Sequence, residues 1–105
     1  MIVTNQDLAR MYAEFNRKYF GNRLPKDMAV RYADLEGKWG RTNIYHDIRP
    51  LFIEISWQLR RTQCFSAMTL LHEMVHVKYP RLNHGPKFHR EMKRLAKIGA
   101  FNNWW

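Results

Sequence analysis

Residues 70–88 read LLHEMVHVKYPRLNHGPKF, and three of the chain's five histidines fall inside them. His72 and His76 stand four residues apart, with Glu73 beside the first. On a helix that spacing sets the imidazoles about 40° apart around the axis and about 6 Å apart along it, so both can reach one ion. Glu73 is turned about 100° from His72, too far to share the same binding face yet near enough to touch a water on the ion. The spacing thus separates two roles: the histidines are metal ligands, and Glu73 is the general base. Leu71 and Val75 give the helix an inward side, and Pro80 ends it.

Catalytic zinc generally keeps three protein ligands and a fourth position for water. The break at Pro80 lets the chain turn back, and His84 is followed by Gly85, which permits close backbone approach, and Pro86, which restarts a helix. His84 is the third ligand on this reading. His89, one turn into the last helix, is the competitor, and it could instead donate a hydrogen bond to a developing oxyanion. A His-Glu-x-x-His run arises by chance in about one such chain in a hundred, so the flanking register, the Pro stop and the His-Gly-Pro that follows carry much of the weight.

Working outward, the helical pattern extends from about Thr62 to Tyr79, with Phe65, Met68, Leu71 (or Leu70) and Val75 on one face. Before it, LFIEISW at 51–57 alternates as a strand, with Leu51, Ile53, Ile55 and Trp57 on one face and Phe52, Glu54 and Ser56 on the other. Glu54 is read as an exposed strand residue or as a partner of a ligand histidine. Met28, Val30 and Tyr32 mark an earlier strand, and Gly37 and Gly40 suggest a turn into a short one running through Ile44. At the start, Thr4 and Asp7 resemble a capping box for a helix carrying Leu8, Met11, Tyr12, Phe15 and Tyr19, ended near Gly21 and Pro25. The last helix runs from Pro86 to about Gly99 with Phe88, Met92 and Leu95 inward. The order is one helix, three strands and two helices, an α+β arrangement in a chain of 105 residues that is read as one domain.

Composition narrows the function classes. Hydrophobic residues are 46% and aromatics 14%, which predicts a folded core rather than disorder. Cys64 is the single cysteine, which excludes an internal disulfide and a Cys-rich zinc ribbon and leaves His and carboxylates as ligands. No signal-like start and no run near ~20 apolar residues is present, so the expectation is a soluble, cytoplasmic monomer without membrane association. The net charge of +9 is concentrated in residues 58–105, where Glu73 and Glu91 are the only acids. On the last helix Arg90, Arg94 and Lys97 fall along one side, flanked by Lys87 and Lys93, and these five are the candidate nucleic-acid-binding residues. Trp104 and Trp105, beside Phe101, could stack on unpaired bases, although packing on the core is the preferred reading for at least one of them and for Trp39 and Trp57.

The sequence resembles the SprT-like (Spartan-type) family of zinc metallopeptidases. The likeness lies in LARMYAEFNRKYFGNRLP at 8–25, GR at 40–41, IEIS at 53–56, LLHEMVH at 70–76 and HGPKFHREM at 84–92, in the family's order. It implies a minimal zincin-like α+β fold, zinc held by His72, His76 and His84, and Glu73 as general base. It also implies protein substrates and DNA, single-stranded or damaged, as partner, because Spartan-type members degrade proteins trapped on DNA and are activated by it. The segment between His76 and His84 is shorter than is usual in the family, and residues 1–105 are read as lacking the zinc ribbon that many relatives carry. The rival reading is a basic, zinc-stabilised nucleic-acid-binding module that cleaves nothing; a purely structural site would have no need of Glu73.

Overall fold

The computed structural model describes residues 2–43, 52–79 and 84–102. The expectations for Ile44, Leu51, Pro80, Trp104 and Trp105 lie outside the described residues. Helix α1 spans Asn5–Tyr19, strand β1 Ala29–Ala33, β2 Gly40–Asn43 and β3 Phe52–Ser56; a 3₁₀ turn at Trp57–Leu59 leads to α2, Gln63–Lys78, and then α3, Pro86–Lys97. This is the α+β order expected from the pattern.

Each element has a local cause. The Thr4 hydroxyl accepts from the Asp7 N–H at 3.1 Å while Asp7 Oδ2 accepts from the Thr4 N–H at 2.9 Å, which satisfies two of the donors a helix start leaves free. Leu8, Tyr12 and Phe15 then bury one face of α1, with Met11 and Tyr19 partly buried beside them. Asn16 is also buried, and its amide bonds both the N–H and the C=O of Leu24, tying the end of α1 to the chain that returns toward β1. Helix α3 stops at Gly99, whose φ of 88° suits a residue without a Cβ. There the Ala100 N–H reaches Leu95 O at 2.9 Å and the Gly99 N–H reaches Ala96 O at 3.2 Å, the paired bonds of a Schellman end.

The sheet order is β1-β3-β2, with β1 parallel and β2 antiparallel to β3. As the central strand, β3 is buried on both faces. Ile53 and Ile55 are fully buried, and so, nearly, are Glu54 and Ser56. Glu54 is therefore neither an exposed residue nor a partner of a ligand histidine. It lies in register with Arg31 on one side and Arg41 on the other, and both guanidiniums bond its carboxylate. Burial opposes its ionisation, but the bonds from Arg41 and Arg31 outweigh this and hold the carboxyl below its ordinary range.

The expected strand face also fails at Trp57. The Ser56 hydroxyl accepts from the Gln58 N–H and starts the 3₁₀ turn, which takes Trp57 out of the strand's alternation and leaves it half exposed under the Arg60 guanidinium. Helix α2 is the hub of the core, with Ala67, Leu70, Leu71, Met74 and Val75 wholly buried. Burying each large aliphatic side chain contributes about 1.5–3 kcal/mol, so α2 is held by packing rather than by its ends. Ser66 is its one buried hydroxyl in the first turn. It donates to Leu59 O at 2.8 Å and so accepts from the Tyr32 hydroxyl at 2.5 Å, which locks α2 onto β1 and the 3₁₀ turn. Phe65, expected on the inward face, is exposed instead.

Candidate metal centre and its cavity

Helix α2 carries His72 and His76 one turn apart, and Gly85 and Pro86 begin α3 directly after His84. The fold brings the three rings to one point. His84 Nε2 lies 3.2 Å from His72 Nε2 and 3.1 Å from His76 Nε2, and the ligand atoms of all three lie within 4.8 Å of one another. Phe88, on the first turn of α3, stands behind them with its ring centroid 4.9, 4.8 and 4.7 Å from those of His72, His76 and His84. Sequence periodicity marks Phe88 only as a core residue; its contact with all three imidazoles depends on how α3 packs on α2.

The donor set fits a metal ion. Imidazole nitrogens about 2.0–2.1 Å from a tetrahedral ion are separated by about 3.3 Å, close to the two separations seen here. Hydrogen bonding alone does not explain the cluster, because a single proton on His84 Nε2 cannot serve both neighbours. Burial, then the positive charges that His76 and His84 would carry, pushes His72 down to about 4; burial, then His84, lowers His76 as well. Both rings are thus neutral near pH 7 and offer lone pairs. Among the described residues, the group able to hold a metal is His72, His76 and His84. His89, the alternative, lies outside that group, exposed at the edge of the adjoining cavity.

Glu73 faces β2. Its Oε1 accepts from the Thr42 hydroxyl at 2.7 Å, and its backbone carbonyl accepts from the same hydroxyl at 3.2 Å. Such close approach of strand and helix requires a glycine at position 40, where a Cβ would fall 2.8 Å from Thr69 Cγ2 and 2.9 Å from Glu73 Oε2. Glu73 is only 6% exposed, and burial raises its pKa above the usual carboxylate range, an effect reduced by the Thr42 bond and the charge of Lys38. His72 and Glu73 border one cavity of ≈ 650 Å³. Neither Thr42 nor Gly40 stands out in the sequence as a site residue, although the short Gly-containing strand was a sign that backbone passes close to something there.

The candidate nucleic-acid residues separate into groups. Arg94 bonds buried Glu91 through Nε at 2.7 Å and Nη2 at 2.8 Å, and also donates to Tyr19 O at 2.7 Å. Lys78 reaches the same carboxylate at 2.8 Å. Arg94 is thereby a tie between α3, α2 and the end of α1. Lys87 and Arg90 border a smaller cavity of ≈ 350 Å³ beside Lys78 and Tyr79, Lys93 turns toward the cavity of Glu73, and Lys97 is exposed. Trp39, expected in the core, is 61% exposed at the start of β2, where the strand's backbone is held (Ser56 N–H to Trp39 O, 2.7 Å) and the indole is left to the surface.

A small mixed sheet, a helix presenting two histidines, a third histidine from the following turn and a buried glutamate beside them define a metallopeptidase-like α+β domain. The chain belongs to the SprT-like family, whose family profile matches residues 8–103. A comparison with curated proteins finds no match. Among the described residues, no helix is long and apolar enough to cross a membrane.

Proposed function

We propose that this protein is a zinc-dependent endopeptidase acting on proteins at or near DNA. The observation that carries the reading is the convergence of three imidazole nitrogens beside a buried carboxylate that no cation pairs among the described residues. His72, His76 and His84 would hold the metal as neutral ligands. Zinc bound there would supply Lewis acidity toward a water and a peptide carbonyl. Glu73 accepts the water's proton; with Oε1 fixed by Thr42, the proton acceptor is Oε2. Burial raises the basicity of this carboxylate, which suits a group that must take a proton near neutral pH and then pass it to the leaving amine. Thr42 keeps the carboxylate oriented, and Phe88 limits where the three rings can turn. His89, at the cavity edge, is the candidate donor to the carbonyl oxygen as it gains charge.

The DNA half of the proposal rests on charge. With Arg94 committed to Glu91 and Tyr19, the phosphate contacts fall to Lys87, Arg90 and Lys97, with Lys93 nearer the cavity. The experiment is cleavage of a DNA-binding protein by zinc-loaded enzyme, with and without single-stranded DNA, beside Glu73→Gln. Cleavage that DNA stimulates and the variant lacks is expected. No cleavage despite stoichiometric zinc and tight DNA binding would favour the binding module instead.

A further inference from the structure

The cavity bordered by His72 and Glu73 owes its apolar character to residues remote in sequence. Trp39 precedes β2, Phe65 and Met68 lie near the start of α2, Met92 and Ala96 lie on α3, and Phe101 follows it. Trp39 and Phe65 are 61% and 55% exposed, so two large rings stand in water on the border of one opening. Exposed apolar surface gathered around a concavity marks contact with an apolar ligand. The volume of ≈ 650 Å³ lies within the ~300–1,000 Å³ typical of ligand pockets and admits one large side chain with its backbone. Among the described residues at its border, the Lys or Arg is Lys93.

We infer that this cavity is a specificity pocket that takes a large apolar side chain, of the Phe, Leu or Met kind, from the substrate residue flanking the scissile bond. The inference rests on the peptidase reading above. Continuity supports it: His72 and Glu73 form part of the cavity wall, and successive residues of an extended peptide advance only about 3.3 Å, so a peptide bond at Glu73 presents its neighbour's side chain to the opening. An alanine there leaves the two exposed rings wet. A lysine or arginine must give up hydration against these apolar walls beside the like charge of Lys93, and the one carboxylate in the wall, Glu73, is the group held for the proton.

Two measurements test this. In the first, zinc-loaded enzyme with single-stranded DNA present is given unstructured peptides whose residues around a common bond are varied among Phe, Leu, Met, Ala and Lys, with products mapped by mass spectrometry. Apolar residues on one fixed side of the cut bond should exceed Ala and Lys by at least ~10-fold in kcat/KM, at the lower end of what a hydrophobic pocket achieves. Ala96→Trp, which fills the cavity from an exposed helix position, and Phe65→Ser, at another exposed position, should each bring kcat/KM for the Phe peptide down toward that for the Ala peptide. The second measurement is calorimetric binding of Phe and Ala peptides to the Glu73→Gln protein, where the Phe peptide should bind at least ~10-fold tighter. Cleavage without a flanking preference, or with one for Lys, overturns the pocket and leaves the peptidase reading intact. If no peptide is cut, the peptidase reading fails, and equal binding of the two peptides then overturns the pocket as well.

Discussion

Three glutamates are buried in this domain, and they are treated in two ways. Glu54, in the middle of the sheet, is held by Arg31 and Arg41, and Glu91, under α3, by Lys78 and Arg94; both carboxyls are held below their ordinary range. Glu73, beside the three histidines, is bonded by a threonine hydroxyl and, among the described residues, by no ion-pair partner; burial raises its pKa, with the Thr42 bond and the charge of Lys38 only reducing the effect. Burying a charge is costly unless it is paired, so the first two are arranged for stability and the third is left basic and facing a cavity. The contrast is a physical ground for the role proposed for Glu73, because a carboxylate saturated with donors has little capacity left to take a proton.

The sharpest way to break this contrast is to remove the charges one at a time. Glu73→Gln should lower kcat/KM by about 10²–10⁴-fold while thermal unfolding of the metal-loaded protein stays at or above the wild-type midpoint, since Gln can still accept from Thr42 and has no charge to desolvate. Glu54→Gln should do the reverse, costing about 1–3 kcal/mol in urea unfolding with little change in kcat for the folded enzyme. Were Glu54→Gln the inactive variant and Glu73→Gln the unstable one, the assignment would be inverted.

Finer tests follow. Thr42→Val should reduce kcat by about 10-fold with KM little changed, through loss of orientation, and lower stability by about 1 kcal/mol, whereas Thr42→Ser should restore both. Glu91 makes a prediction in pH. Its folded pKa lies below the ordinary glutamate value of 4.5, so its contribution is fully present above about pH 4.5 and is lost as pH falls through the depressed folded value. The stability difference between wild type and Glu91→Gln, read by chemical unfolding, should therefore be constant near neutrality and shrink in acid. The smallest effect is expected from Lys87, Arg90 and Lys97: replacing all three with Ala should leave DNA-independent cleavage unchanged while the slope of log affinity against log salt falls by about one per phosphate contact.

Much of this arrangement is legible in the sequence because it is local. The Thr4–Asp7 box, the four-residue histidine spacing, the Pro86 start and the Gly99 stop each depend on neighbours within about two turns, and each element lies where those signals set it. What escapes is the non-local part. Nothing in the periodicity of 51–57 shows that β3 lies between β1 and β2, so Glu54, bonded to residues 23 and 13 positions away, reads as an exposed residue when it is a buried one. The same gap hides Thr42, which reaches Glu73 across 31 residues, and the pocket residues Trp39 and Phe65, whose hydrophobicity suggests core until the cavity they border is seen. Arg94 shows the converse: it belongs to a basic stripe in the sequence, but in the fold it bonds Glu91 and a backbone carbonyl 75 positions away.

The central claim is that His72, His76 and His84 together hold one metal ion and that Glu73 stands beside it without being a ligand. Metal content and zinc affinity of the wild type, His84→Ala and Glu73→Gln proteins, by elemental analysis and competitive titration, test it most directly. One zinc per chain is expected in wild type and Glu73→Gln, with affinity at least ~100-fold weaker in His84→Ala. Zinc binding unaffected by His84→Ala, or abolished by Glu73→Gln, would contradict it.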